Sequence, residues 1–121
     1  MRKAPVSGLC VVVCLGLTLS PLQATEVPVT VTAYTWSGLR TASGKWPAPG
    51  MLALSRDLED TLGVKFGQNI TLEGLGRYVF ECRMHRRWQR RADIFVPTWR
   101  QARRFGKRRS VLLKPSDRLT P

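Results

Sequence analysis

The stretch Arg91-Ala92-Asp93-Ile94-Phe95-Val96 reads as a strand, with Ala92 and Ile94 alternating against Arg91 and Asp93 so that one face suits a core. Asp93 is also the single acid among eleven Arg and Lys residues between Arg83 and Arg109. Cations within a few ångströms hold a carboxylate ionised, whereas burial raises its pKa, so protonation at this position is open to tuning. That makes Asp93 the first candidate for chemistry, weighed against the plainer reading of a structural ion pair with its neighbours. With so many guanidinium groups nearby, the sequence predicts a lowered pKa and hence a poor proton donor at neutral pH.

Outward from this strand, Pro97 opens a short helix over Thr98 to Phe105, Gly106 closes it, and Arg108 to Lys114 forms a last strand. Upstream, Val27 to Thr35 is rich in β-branched residues and predicts a strand, with Pro28 tolerable only near its start or an edge. Gly38, Gly44, Pro47, Pro49 and Gly50 then break any regular element, leaving a loop that carries Thr41-Ala42-Ser43-Gly44 and an exposed Trp46. Met51 to Leu54 is a short strand, and Ser55 caps a helix that holds Asp57, Glu59 and Asp60 early and stops at Gly63. Asn69 to Glu73 and Arg77 to Cys82 are strands joined by Gly74-Leu75-Gly76. Six short strands and two short helices in 121 residues predict a mostly β barrel around a single core.

Residues 1–24 read as a secretory signal peptide: Arg2 and Lys3 precede an apolar run from Leu9 to Leu19 that is short for a bilayer span, and Ala24 offers a cleavage point. Cys10 and Cys14 lie inside that run behind bulky Leu9 and Val13, which argues against a lipid-anchored cysteine. The domain proper is then 25–114, with a flexible polar tail at 115–121 and no transmembrane segment after processing. Only Cys82 remains, so no internal disulfide forms, and the thiol is either buried and inert or available to another molecule.

The net charge is +12, or +10 once Arg2 and Lys3 leave with the signal peptide. Such a surface attracts phosphate backbones, but export makes phospholipid head groups, lipopolysaccharide and the carboxylate-bearing peptides of the cell wall the polyanions to hand, with no specific nucleic acid. Other polar residues carry less. His85 is the single histidine and has no second ligand nearby, so no metal or other cofactor is expected; Ser43 reads as a turn former, and Asn69-Ile70-Thr71 as a chance sequon. Among the four tryptophans, Trp46 and Trp88 are the candidates for a sugar-stacking groove.

The order Val31-Thr32-Ala33-Tyr34-Thr35, Thr41-Ala42-Ser43-Gly44, Pro49-Gly50, Leu52-Ala53-Leu54-Ser55-Arg56-Asp57-Leu58, Glu73-Gly74-Leu75-Gly76, Met84-His85-Arg86-Arg87-Trp88, Ala92-Asp93-Ile94-Phe95 and Ala102-Arg103-Arg104-Phe105-Gly106 resembles the 3D domain family, named for three aspartates. The resemblance runs from about Val29 to Leu113. It implies a six-stranded double-psi β-barrel with one or two short helices, related to membrane-bound lytic transglycosylase A and rare lipoprotein A, which act on peptidoglycan glycan strands. By the same resemblance Asp93 matches the working acid, Ser55 stands at the place of a second aspartate with Asp57 two residues on, and Cys82 stands at the third.

A lytic transglycosylase works with one acid that first protonates the glycosidic oxygen and then, as carboxylate, takes a proton from the sugar's C6 hydroxyl, whereas ordinary hydrolysis needs two carboxylates. The resemblance thus implies O-glycosidic cleavage of cell-wall glycan by an exported protein, periplasmic or outer-membrane associated in a bacterium. Thr41, Ser43, Trp46, Arg86, Arg87, Trp88, Arg90 and Arg91 are the expected substrate contacts. The alternative is a non-catalytic basic barrel that binds anionic cell-wall glycan or an envelope partner through Arg86, Arg87, Arg90 and Arg91.

Overall fold

The computed structural model describes residues 25–114; the expected signal peptide, with Cys10 and Cys14, and the tail from residue 115 lie outside the described residues. Six strands, β1 (Thr25–Tyr34), β2 (Met51–Leu54), β3 (Asn69–Leu72), β4 (Gly76–Arg83), β5 (Arg91–Phe95) and β6 (Arg108–Lys114), close into a barrel in the order β1-β5-β2-β4-β3-β6. Two seven-residue helices, α1 (Arg56–Leu62) and α2 (Trp99–Phe105), follow β2 and β5. The expectation of a mostly β barrel with two short helices holds. Closure leaves the sheet with no free edge, which suits a chain whose single described cysteine has no disulfide partner.

Two strand pairs are parallel, β1 with β5 and β2 with β4, and the remaining neighbours are antiparallel. Pro28 is accommodated because β1 meets β5 only from Thr30 onward, so at Pro28 the strand has one partner, β6, and behaves as an edge. Period-two alternation sends Val29 and Val31, Leu52 and Leu54, Ile70 and Leu72, Phe80, Ala92, Ile94 and Leu112 into the core, joined from α1 by Leu58 and Leu62.

Local signals set the helix ends. Thr98 and Gln101 form a reciprocal capping box at the start of α2, and Gly63 closes α1 at a left-handed φ of 66° that a side chain would resist. Ser55 occupies the N-cap position of α1, but its hydroxyl makes no cap bond. It accepts instead from the Arg91 amide at 3.0 Å, tying the end of β2 to the start of β5. No helix among the described residues is long and apolar enough to cross a membrane.

Candidate active-site cleft

The register of four neighbouring strands lines up one row of side chains on the outer face of the barrel. Thr32 on β1 stands opposite Asp93 on β5, Asp93 opposite Ala53 on β2, and Ala53 opposite Cys82 on β4. Thr32, Asp93 and Ala53 lie next in sequence to the core residues Val31, Ala92, Ile94, Leu52 and Leu54, so the row faces away from the core. Ala53 stands between the carboxylate and the thiol in this register, and all three residues line one cleft.

Cys82 joins this row because of a β-bulge. The β2–β4 register runs Leu52 to Phe80 and then Ala53 to Cys82, skipping Glu81. Glu81 turns aside and is buried, its carboxylate bonded to Lys45 at 2.9 Å. Burial pushes the Glu81 carboxyl up, but hydrogen bonds from Lys45 and Ser43 and the Lys45 charge outweigh it and leave the pKa below its ordinary value.

The loop between β1 and β2 is fastened at this bulge. Ser43 donates its amide to the Glu81 carbonyl at 3.0 Å, and Ala42 donates its amide to Cys82 Sγ at 3.3 Å. Within the loop, Thr41 Oγ1 lies 3.0 Å from Ser43 Oγ and accepts from the Lys45 amide at 3.1 Å. Thus fixed, the loop forms one wall of a cleft of about 370 Å³, with Tyr34, Arg40, Thr41, Ala53, Cys82, Arg83, His85, Trp88 and Asp93 in its lining.

Asp93 is not in an ion pair. Among the described residues the salt bridges join Lys45 to Glu81 and Arg83 to Glu59, and the Asp93 carboxylate accepts from the Thr32 hydroxyl at 2.9 Å. Burial raises its pKa above the usual carboxylate value, and the Thr32 bond and the Arg91 charge oppose this without reversing it. The expected lowering is therefore corrected: the basic side chains are spent elsewhere. The guanidinium carbons of Arg91 and Arg87 lie 4.0 and 4.7 Å from the ring centroid of Trp88, and Arg83 is held by Glu59 through two bonds of 2.6 and 2.8 Å.

The cleft draws together Asp93, Cys82, Thr41 and Trp88 from the expected set. Cys82 is half-buried in the lining rather than sealed in the core. Ser55 is fully buried on the Arg91 amide. Asp57 accepts from the Arg90 amide at 2.9 Å, where Arg90 has a left-handed φ of 49°. Both hold the turn into β5 and neither lines the cleft. Arg86, Arg87 and Arg90 are exposed outside the lining, and Ser43 serves the loop. Trp46 is 53% exposed beside Trp36, at a centroid distance of 6.2 Å, and carries the Arg40 guanidinium at 4.1 Å.

Sequence reasoning missed Tyr34, Arg40 and Arg83 as cleft residues, and Thr32 as the hydrogen-bond donor to Asp93. For Thr32 and Tyr34 a signal existed: two polar residues spaced by two in a strand share a face, opposite to Val31 and Ala33. No family model matches the chain, and no curated protein matches it.

Proposed function

We propose that the protein is a lytic transglycosylase of the 3D domain kind, a double-psi barrel that cuts O-glycosidic bonds of cell-wall glycan in a bacterial envelope, with Asp93 as both acid and base. The observation that carries this reading is a carboxyl raised by burial, free of any ion pair and set in the lining of an open cleft. A raised pKa is what a general acid needs near neutrality. The two parallel strand pairs within an otherwise antiparallel closed barrel support the double-psi assignment.

In the first step protonated Asp93 gives its proton to the glycosidic oxygen as the C1–O bond breaks and the leaving sugar departs as an alcohol. In the second the Asp93 carboxylate takes the proton of the C6 hydroxyl while that oxygen bonds C1, closing a 1,6-anhydro ring. The proton count balances, no water enters, and one acid suffices. Thr32 fixes one carboxylate oxygen and leaves the other for the substrate. The exposed Trp36 and Trp46 on the neighbouring loop offer aromatic surface for sugar rings beside Trp88, whose ring already carries Arg87 and Arg91, and the guanidinium groups of Arg40, Arg86, Arg87, Arg90 and Arg91 offer positive charge for carboxylates of the wall peptides.

Digestion of purified peptidoglycan tests this. Anhydro-muropeptides should appear with the protein and not with Asp93→Asn; equal release from both removes Asp93 from the chemistry.

One observation favours the alternative of a non-catalytic glycan-binding barrel: the row beside Asp93 ends in a thiol, Cys82, with no second carboxylate. That reading predicts retention on glycan strands that weakens steeply with salt and survives Asp93→Asn.

A further inference from the structure

From Ile94 to Ser116 the chain has seven Arg and Lys residues and no acid, and α2 lies at the centre of that stretch. The helix packs against β1, buries Ala102 and is fixed at its start by the Thr98 capping box. It is a set part of the barrel. Because each residue turns about 100° round a helix, Trp99, Arg103, Arg100 and Arg104 follow one another round the side that faces away from Ala102.

All four are exposed, Trp99 by 64%. The Arg103 guanidinium carbon lies 5.7 Å from the Trp99 ring centroid, so the ring and a cation are presented together. Among the described residues the salt bridges lie elsewhere, and none of the four lines the cleft. The result is a convex cationic face with one exposed aromatic ring.

A plane of anionic head groups complements each of those properties, since guanidinium groups pair with phosphates and an indole sits well at the boundary of head groups and water. A single nucleic-acid strand is held instead in a groove with several stacking rings, which a helix on the outside of a barrel does not provide. We propose that Trp99, Arg100, Arg103 and Arg104 form a docking surface for an anionic phospholipid bilayer. Lys107, Arg108 and Arg109 follow α2 and add to the positive potential there. Two turns of helix with one large apolar side chain give a shallow, reversible and salt-sensitive attachment. The inference is independent of the glycan reading of the cleft.

The test measures cosedimentation of the full chain with vesicles of phosphatidylcholine and phosphatidylglycerol, and with vesicles of phosphatidylcholine alone. Residues 1–24 are common to every protein compared, so their contribution cancels. The parent should bind the anionic vesicles more tightly, and Arg100→Gln with Arg103→Gln and Arg104→Gln should weaken that binding about a hundredfold, each single change about fivefold. Trp99→Ala should weaken it about fivefold. A control triple variant, Arg56→Gln with Lys65→Gln and Arg77→Gln, removes the same charge from exposed positions away from α2 and should bind nearly as the parent does. Equal losses in the two triple variants show that binding follows net charge alone and overturn the proposal. So does equal binding of the parent to both kinds of vesicle. If the α2 changes weaken binding of a single-stranded oligonucleotide but not of anionic vesicles, the face serves nucleic acid and the lipid assignment falls. Should the α2 triple variant fail to fold, the single changes decide, and single changes without effect overturn the proposal.

Discussion

The Thr32 hydroxyl donates to Asp93 across 2.9 Å from the directly facing position in the parallel β1–β5 pair, joining residues 61 apart in sequence. Since this bond favours the ionised carboxylate, it limits how far burial can raise the pKa. It also sets the direction of the carboxyl group.

Thr32→Val keeps the branched shape and removes the donor. The Asp93 pKa should rise further, and the loss of stability should be about 1 kcal/mol. Carboxyl-carbon NMR across a pH titration measures the first and thermal melting the second. An unchanged or lowered Asp93 pKa would show that the bond does not tune the acid.

Asp93→Asn should change stability with a definite sign. A carboxyl whose pKa is raised in the folded state supports folding most fully while it is protonated, and that support is lost as pH rises through the folded value. The asparagine never ionises, so the variant should be at least as stable as the parent at neutral pH, and its advantage should shrink as pH falls through the raised folded value toward the ordinary carboxylate range. On the proposed mechanism, cleavage by the parent should decline over the same rise in pH as the proton donor is lost. Melting curves at several pH values decide the first point, and a neutral-pH loss of stability in the variant would contradict it.

Lys45→Met leaves the buried Glu81 carboxylate without its cation. Because the Lys45 side chain is itself 58% exposed, the loss should be modest, about 1–2 kcal/mol. Glu81 has a lowered pKa, so the pair contributes above the ordinary glutamate value and fades as pH falls through the folded one. The difference in melting temperature between parent and variant should therefore narrow on acidification. A difference that persists at low pH would point to lost packing of the lysine stem.

The strands were legible because β-branched runs and glycine turns mark them locally: β2 and β6 fall at the expected residues, β5 stops one residue short at Phe95, and β1 starts at Thr25 and ends at Tyr34. The extension toward Thr25 follows from antiparallel pairing with Lys114, a contact between the two ends of the described chain that no local pattern records. The bulge was equally hidden. Strict alternation counted from buried Phe80 would aim Glu81 at the Asp93 row, and the skipped residue brings Cys82 there instead.

The sign of the Asp93 shift was misjudged for a related reason. Nearness in sequence to many arginines is not nearness in space, since Arg91 and Arg87 lie against Trp88 and the strand buries the carboxyl. Ser55 and Asp57 were placed correctly around α1 but satisfy the backbone of Arg91 and Arg90. Ser55 Oγ and Asp57 Oδ2 are thus used by the fold before any ligand arrives, while Asp57 Oδ1 is buried without a partner among the described residues.

The pairing of β1 with both β5 and β6 joins segments far apart in the chain. Contacts between such distant segments demand the closure of long chain loops, which is slow compared with hairpins such as β3–β4. Thr32 and Asp93 therefore meet late on the folding route, and partly folded forms lack the assembled cleft. A chain shortened from either end, losing β1 or β6, would leave the barrel open, and without β1 the Asp93 carboxyl would lack its Thr32 partner.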